Sequence, residues 1–342
     1  MAHPPVFHLF VGVDIAVATF TTVWGLDPQR LPRPQTFAQT PDDFTAFQQH
    51  LATTGVAPPA TLVVLEATGS YWVALAVALH HAGYQVSVIN PAQVHNYAKS
   101  LARRSKTDAL DAQVLWQFAR ERQPPVWTLP PAVYHELRQR LVARDALAEM
   151  RQQARNQRHA LQQWPIVIAT VLAQFDAVEA DLDTRIAALD AEIVTALQDG
   201  AWAESASLLQ SIPGIGPATT AWLLVATLNF ELCHTPEAAV AYVGLHPVVH
   251  ESGTSVRGRP HLSRAGHARL RKALYMASIS AVRFNPALKV FYERLRTRGK
   301  PMKVARCAAA RKLLHVAWAV VTKRQRFDPH YGTSQATGVL SG

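Results

Sequence analysis

Four carboxylates, Asp14, Glu66, Asp108 and Asp111, have the residue types and settings that metal-assisted phosphodiester chemistry requires. Two Mg²⁺ ions about 4 Å apart need several convergent acids, because a hard cation takes oxygen ligands and its charge must be offset. Asp14 lies in VFHLFVGVDIA, an apolar run that reads as a buried strand, and Glu66 closes a second such run in TLVVLEATG. An acid there is costly to bury unless it is paired or binds metal. Asp108 and Asp111 sit in KTDALDA, where a spacing of three puts both on one face of a helix. Taken singly, each acid also fits a solvated surface group, and Asp108 fits an acid that stabilises a helix N-terminus through the dipole.

The elements that must position these acids are legible. Strands are predicted over 6–16, 18–26 and 33–39, followed by a helix from Thr40, where Thr-Pro-Asp-Asp supplies an N-cap, a first-turn proline and first-turn acids. A strand at 61–67, a helix at 71–82, a strand at 84–90 and a helix from about 92 follow. Three consecutive strands and then alternating helix and strand is the element order of the ribonuclease-H-like fold, in which the first strand, a later strand and the last helix meet at one edge.

Beyond Pro124-Pro125 and Pro130-Pro131 the pattern turns helical. Tyr134 to Gln163 is rich in Arg, Gln and Ala, Trp164-Pro165 interrupts it, and Leu182, Ile186, Leu189, Ile193 and Leu197 then recur at coiled-coil-like spacing. This reads as a long helical hairpin serving as spacer or oligomerisation element. Arg138, Arg140, Arg144, Arg151, Arg155 and Arg158 leave open a second role, contact with nucleic acid.

SIPGIGPATTAWLLV places Gly214 and Gly216 between two helix-compatible segments. Such a turn can aim backbone N–H groups at a phosphate as the next helix begins, in the manner of a helix-hairpin-helix motif, or it can simply join two core helices. In ESGTSVRGRPHLSRAGHARLRKALY, Ser252, Gly253 and Ser255 precede Arg257, Arg259, Arg264, Arg269, Arg271 and Lys272. An arginine-lined serine beside a metal suits nucleophilic attack on a phosphate, while spacing alone allows a flexible linker.

Composition sets the limits. The chain has 342 residues, 49% of them apolar, enough for two or three domains with real cores. Its only cysteines, Cys233 and Cys307, are too few for a disulfide framework or a cysteine-based zinc site and point to a reducing cytoplasm. No apolar run approaches the ~18 residues of a membrane span, and no basic-then-apolar leader opens the sequence. Charge is concentrated: residues 251–326 hold 19 Lys and Arg against Glu251 and Glu293, a balance of +17 in a chain whose total is +10. Such an excess marks a polyanion partner, and phosphate backbones are the commonest.

GVDIA, LEATGSY and KTDALDA in the first third, with IPGIGPATTAWLL, AYVGLHP and SGTSVRGRPHLSRAGHARLRKALYMA in the last, resemble the DEDD transposases of the one-hundred-and-ten family of insertion sequences, relatives of the pilin-gene inverting recombinase. The resemblance implies an α/β RuvC-like domain over 1–127, a helical coiled-coil segment over 128–204, a mostly α C-terminal transposase domain with a helix-hairpin-helix over 205–330, and a disordered tail at 331–342. It implies that Asp14, Glu66, Asp108 and Asp111 bind Mg²⁺ and that the S-G-T-S turn supplies the nucleophile, Ser252 with Ser255 as the lesser candidate. Leu262-Ser263-Arg264-Ala265-Gly266 stands for the family's Ile-Ser-Lys-x-Gly and keeps its cation. It further implies double-stranded donor and target DNA, a bridge RNA as guide, and dimers assembling to a tetramer in a cytoplasmic, nucleoid-associated setting. A hydrolytic junction resolvase and a non-catalytic nucleic-acid-binding protein are the rival readings.

Overall fold

The structure, a computed structural model, describes residues 6–27, 31–67, 69–101, 107–248, 251–252, 256–257, 261–263 and 265–329. Two compact units divide between Leu129 and Pro130. The first is a mixed α/β layer. Its strands are β1 (Leu9–Ile15), β2 (Thr19–Gly25), β3 (Gln35–Ala38), β4 (Thr61–Glu66) and β5 (Gln85–Ile89), and its helices are α1 (Pro41–Ala52), α2 (Trp72–His81), α3 (Pro91–Ser100) and α4 (Asp108–Arg122). The strands lie in the order β3-β2-β1-β4-β5, with β1 antiparallel to β2 and parallel to β4. β4 and β5 are parallel as well.

Alternation along β1 sorts its side chains. Leu9, Val11, Val13 and Ile15 are buried with Phe44, Phe47 and Leu51 of α1 and Leu75 and Leu79 of α2. On the other face, Leu62 and Val64 of β4 pack with Val94 of α3 and Val114, Leu115 and Phe118 of α4. Gly12 allows α4 to come this close. A Cβ at this position would stand 2.2 Å from the amide nitrogen of Trp116 and 2.4 Å from the carbonyl oxygen of Ala112. Helix and strand therefore touch backbone to backbone.

The second unit is mostly helical: α5 (Ala132–Leu161), α6 (Ala169–Gln198), α7 (Ala203–Gln210), α8 (Pro217–Thr227), α9 (Pro236–Val243), α10 (Ala268–Phe284), α11 (Pro286–Thr297) and α12 (Met302–Thr322). Four two-residue strands, β6 (Pro247–Val248), β7 (Glu251–Ser252), β8 (Val256–Arg257) and β9 (His261–Leu262), separate α9 from α10. Its core gathers Leu137 and Leu141 of α5, Ile193 and Leu197 of α6, most of α8, and Leu313, Leu314 and Ala317 of α12. Among the described residues no helix is long and apolar enough to cross a membrane.

The 30-residue helices α5 and α6 run antiparallel, each about 45 Å long at 1.5 Å per residue. Of the expected apolar stripe, Leu182, Ile186, Ile193 and Leu197 are buried and Leu189 is half-buried. Above this thin seam the helices are laced by charge. Arg140 Nε donates to Glu192 at 2.9 Å and Arg155 Nε to Glu179 at 2.9 Å, while Arg144 pairs with Asp190, Arg151 with Asp183 and Arg158 with Asp176. Arg138 donates to the Tyr134 hydroxyl at 2.7 Å. Arg140, Arg144, Arg151, Arg155 and Arg158 thus bridge the two arms of the hairpin, while Arg138 bonds within α5. Each exposed pair contributes about 0.2–1 kcal/mol, and the set fixes the register.

Gly12→Ala should lower the thermal stability of the first unit by about 3 kcal/mol, the upper end of overpacking costs, because backbone rather than a yielding side chain stands in the way. Trp116 fluorescence during unfolding is the readout. A transition equal to that of the parent protein would refute the backbone contact.

Candidate functional site

Register brings two of the acids together. The β1–β4 ladder pairs Leu9 with Thr61 and Val13 with Leu65, an offset of 52, and the same offset aligns Asp14 with Glu66. Both stand at the C-terminal ends of adjacent parallel strands. Asp14 is two residues beyond Gly12 and Glu66 two beyond Val64, so both belong to the face that α4 covers. Asp111 immediately precedes Ala112, the residue whose carbonyl lies against Gly12, and Asp108 is a turn earlier. Thr107 caps α4, its hydroxyl accepting from the Leu110 amide at 3.3 Å, and this sets where the helix and its two first-turn acids begin.

Asp14, Glu66 and Asp111 are half-buried and Asp108 is exposed. The first three already have partners within the fold. Among the described residues, no group of three or more His, Cys, Asp or Glu stands close enough to hold a metal ion. The backbone thus aligns Asp14 with Glu66 and sets Asp111 one residue from the helix–strand contact, without closing a ligand shell. In type the donors suit a hard divalent cation, since all four are carboxylates. Residues 102–106, which lead into α4, lie outside the described residues.

Ser252 occurs in a β-hairpin. Its backbone, in β7, is paired with Val256 of β8, and the foot of the hairpin is the β6–β9 pair, Pro247 with Leu262 and Val248 with His261. Ser255, Gly253, Arg259 and Arg264 lie outside the described residues. Arg257 is in β8, opposite Glu251. Below the hairpin the chain is tightly fastened. The His267 amide donates to the Tyr242 carbonyl at 2.9 Å, the Ser263 amide to His246 at 3.1 Å, and an Arg271 guanidinium nitrogen to the Val243 carbonyl at 2.9 Å. Arg271, expected to hold nucleic acid, thus also ties its guanidinium to the C-terminus of α9. Of its neighbours, Arg269 lies over the Trp222 ring and Lys272 approaches Glu149 at 3.5 Å.

The Pro-Gly-Ile-Gly turn joins α7 to α8. Gly214 has φ 102°, and a Cβ there would collide with Ala281 of α10 at 2.5 Å, so this glycine serves packing. Gly216 is the N-cap of α8 and nothing crowds it, which leaves the start of that helix open. Beside it a cleft of about 290 Å³ is lined by Arg144, Asp145, Thr219, Trp222, Arg269 and Lys272. Burial pushes the Asp145 carboxyl above its ordinary range, opposed by Arg269, Lys272 and Arg144.

Motif reading missed His267. Its Nδ1 accepts from the Leu270 amide at 3.1 Å and so caps α10, and its ring lies against Tyr242 and Trp222. The available signal was a histidine directly before a helical run, a residue type with a ring acceptor that sequence reading seldom treats as a cap. Burial is the first cause holding its pKa below the ordinary imidazole value, and Arg138, Arg269 and Arg271 act in the same direction.

A DEDD transposase model of the IS110 type matches residues 11–164, and a transposase model of the IS116/IS110/IS902 family matches 206–293. The pilin gene-inverting protein of Moraxella bovis is 30% identical over 327 residues, covering 93% of this chain and 97% of that protein. The chain belongs to the IS110 family of transposases. It is therefore an enzyme of DNA transposition or inversion, as the sequence motifs implied. Similar figures, 30% identity with 93% and 97% coverage, hold for the pilin gene-inverting protein of Moraxella lacunata. An uncharacterized 42 kDa protein of insertion element IS900 from Mycobacterium paratuberculosis is 31% identical over 56% of this chain and 47% of its own length. The first matched span of this IS110 transposase contains all four acids, and the second contains the α8 turn, the serine hairpin and all of α10. The family points to dependence on a divalent metal.

The His267 cap has a pH consequence. A histidine whose folded pKa is depressed contributes stability that is fully present above the unfolded value near 6.5 and is lost as pH falls through the folded value. Melting temperature should therefore fall as pH drops from about 7 towards 5, and His267→Asn, which caps without titrating, should flatten part of that slope. An unchanged slope in His267→Asn would refute the capping role. His135 and His315, also depressed by burial, act in the same direction.

Proposed function

We propose that this transposase cuts and rejoins duplex DNA through a covalent phosphoserine at Ser252, with Asp14, Glu66, Asp108 and Asp111 holding Mg²⁺. The observation that carries this reading is the shared register of Asp14 and Glu66 at the ends of adjacent parallel strands, on the face covered by the helix that bears Asp108 and Asp111. The strand order β3-β2-β1-β4-β5 supports a RuvC-like assignment. Bound divalent ions supply charge stabilisation at the phosphate.

Attack by the Ser252 hydroxyl forms an Oγ–P bond and breaks a P–O bond to sugar, the serine proton passing to a base while the released sugar oxygen takes one up. The phosphoester is conserved in the adduct, so a sugar hydroxyl of another DNA end can reverse the step and join strands without hydrolysis. The open N-terminus of α8 after Ile212–Gly216, with Arg269 and Lys272 near it, supports backbone contact of the helix-hairpin-helix kind. Gly214 shapes that turn. Arg257, Arg259 and Arg264 in and beside the serine hairpin are proposed to neutralise phosphate. From family resemblance we add a bridge RNA that pairs with donor and target DNA, and dimers assembling to a tetramer, since strand exchange must hold several cuts together. Such a protein would work in the cytoplasm, at the nucleoid.

Asp14→Ala or Glu66→Ala should abolish recombination while leaving the melting temperature within a few degrees, because a metal ligand is lost without core volume. Wild-type recombination rates in both variants with Mg²⁺ present would defeat the cluster assignment.

Stalled reactions should contain a protein–DNA adduct that survives denaturant and maps to 252–255. Ser252→Ala should lose adduct and recombination together, by at least roughly a thousandfold, while retaining DNA binding. Adduct lost only in Ser255→Ala would move the role to that residue, and cleavage without adduct would point to water as nucleophile and a resolvase.

A further inference from the structure

A slot beside the foot of the serine hairpin has no part in the reading above. Val304, Cys307, Ala308 and Arg311 follow at spacings of three, one and three along α12, so they share one face of that helix. The face turned to the core carries Ala305, Ala309, Leu313 and Ala317. On the outer face, the small side chains of Cys307 and Ala308 leave a gap of about 360 Å³ against Leu245, Pro247 and Leu262. The volume falls in the range of small-ligand sites. Its side-chain lining is apolar apart from Lys303, Arg311 and the thiol of Cys307, which burial keeps neutral by raising its pKa.

The surrounding charge identifies the occupant. Residues 283–312 carry ten Lys and Arg against a single acid, Glu293. Among the described residues neither Lys303 nor Arg311 has a carboxylate partner, in contrast to the arginines of the α5–α6 hairpin. Val304 is 52% exposed and Met302 47%, so apolar surface continues to the mouth. An apolar slot edged by uncompensated cations fits a ligand that joins a flat, weakly polar ring to a flexible anionic tether.

We propose that this slot takes one unstacked nucleobase of the nucleic acid that the enzyme handles, with flanking phosphates on Lys303 and Arg311. The assignment rests on the reading of the chain as an enzyme acting on nucleic acid. Among the described residues no side-chain amide, hydroxyl or carboxylate lines the slot, so apolar contact holds the ring, the two cations are left to the phosphates, and the site is tolerant of base identity.

The test uses the full chain and two fluorescent single-stranded DNA oligonucleotides of equal length, one with bases and one abasic, titrated by anisotropy. Ala308→Phe fills the slot, and it should weaken binding of the base-bearing strand about tenfold, the loss expected when roughly 55 Å² of base surface is no longer buried at about 25 cal/mol per Å², while leaving the abasic strand unaffected. Lys303→Gln with Arg311→Gln should weaken both strands and reduce the log–log salt slope by about 1.4, two contacts at roughly 0.7 each. Should Ala308→Phe fail to fold, Ala308→Leu, which fills the slot without adding an aromatic platform, carries the same expectation. Equal affinity of a folded slot-filling variant and the parent for the base-bearing strand would overturn the proposal and leave the enzyme reading intact. Absence of binding to any strand or duplex by the parent protein would overturn both.

Discussion

At Gly12 a helix and a strand meet with no side chain between them, and the geometry of the first unit follows from that contact. The Ala112 carbonyl and Trp116 amide sit where a Cβ would be, which fixes α4 in both depth and position along β1. Asp111 is one residue from the contact on the helix and Asp14 two residues from it on the strand, so both acids are referenced to one point. Glu66 joins them through the β1–β4 ladder. Thr107, by setting the first turn of α4, determines that Asp108 and Asp111 fall at its start. A larger residue at position 12 would separate the layers that bring the carboxylates to one edge.

Cations are used in two ways in the second unit. In the α5–α6 hairpin, Arg140, Arg144, Arg151, Arg155 and Arg158 each face a carboxylate of the opposite helix, and their charge is spent on register. Over residues 251–326, 19 cations meet two acids. That excess is a source of long-range attraction for a polyanion and of self-repulsion within the fold, which the burial of Leu313, Leu314, Ala317 and their neighbours must offset. The two populations are of one residue type, and only their partners distinguish them.

The strands and their succession along the chain were legible because Val, Leu and Ile runs alternate with capped helical segments, and Thr40 does cap α1 through the Asp43 amide. Asp14 and Glu66 stood out because charge inside an apolar strand is costly, and the structure does place both on strands. What composition concealed was tertiary: the close approach of Ala281 also requires Gly214, in a turn that reads as phosphate-binding, and Arg271, which reads as a DNA contact, also donates to the Val243 carbonyl. The arginines of α5 pair with acids 18 to 52 residues away, from Arg158 with Asp176 to Arg140 with Glu192, and local patterning cannot reveal such partners. A slot made by Cys307 and Ala308 leaves a still weaker trace, because small residues on a helix usually mark close packing.

The hairpin leaves and re-enters the same core, Leu137 and Leu141 on the outgoing arm and Ile193 and Leu197 on the returning one. Its length is therefore a free parameter of the architecture. Removing about seven residues from each arm between the tip and the Arg151–Asp183 rung would shorten it by about 10 Å, keep the facing stripe in phase and leave the core composition untouched. Evolution or design can thus retune the reach of this arm without renegotiating the stability of the domain that carries it.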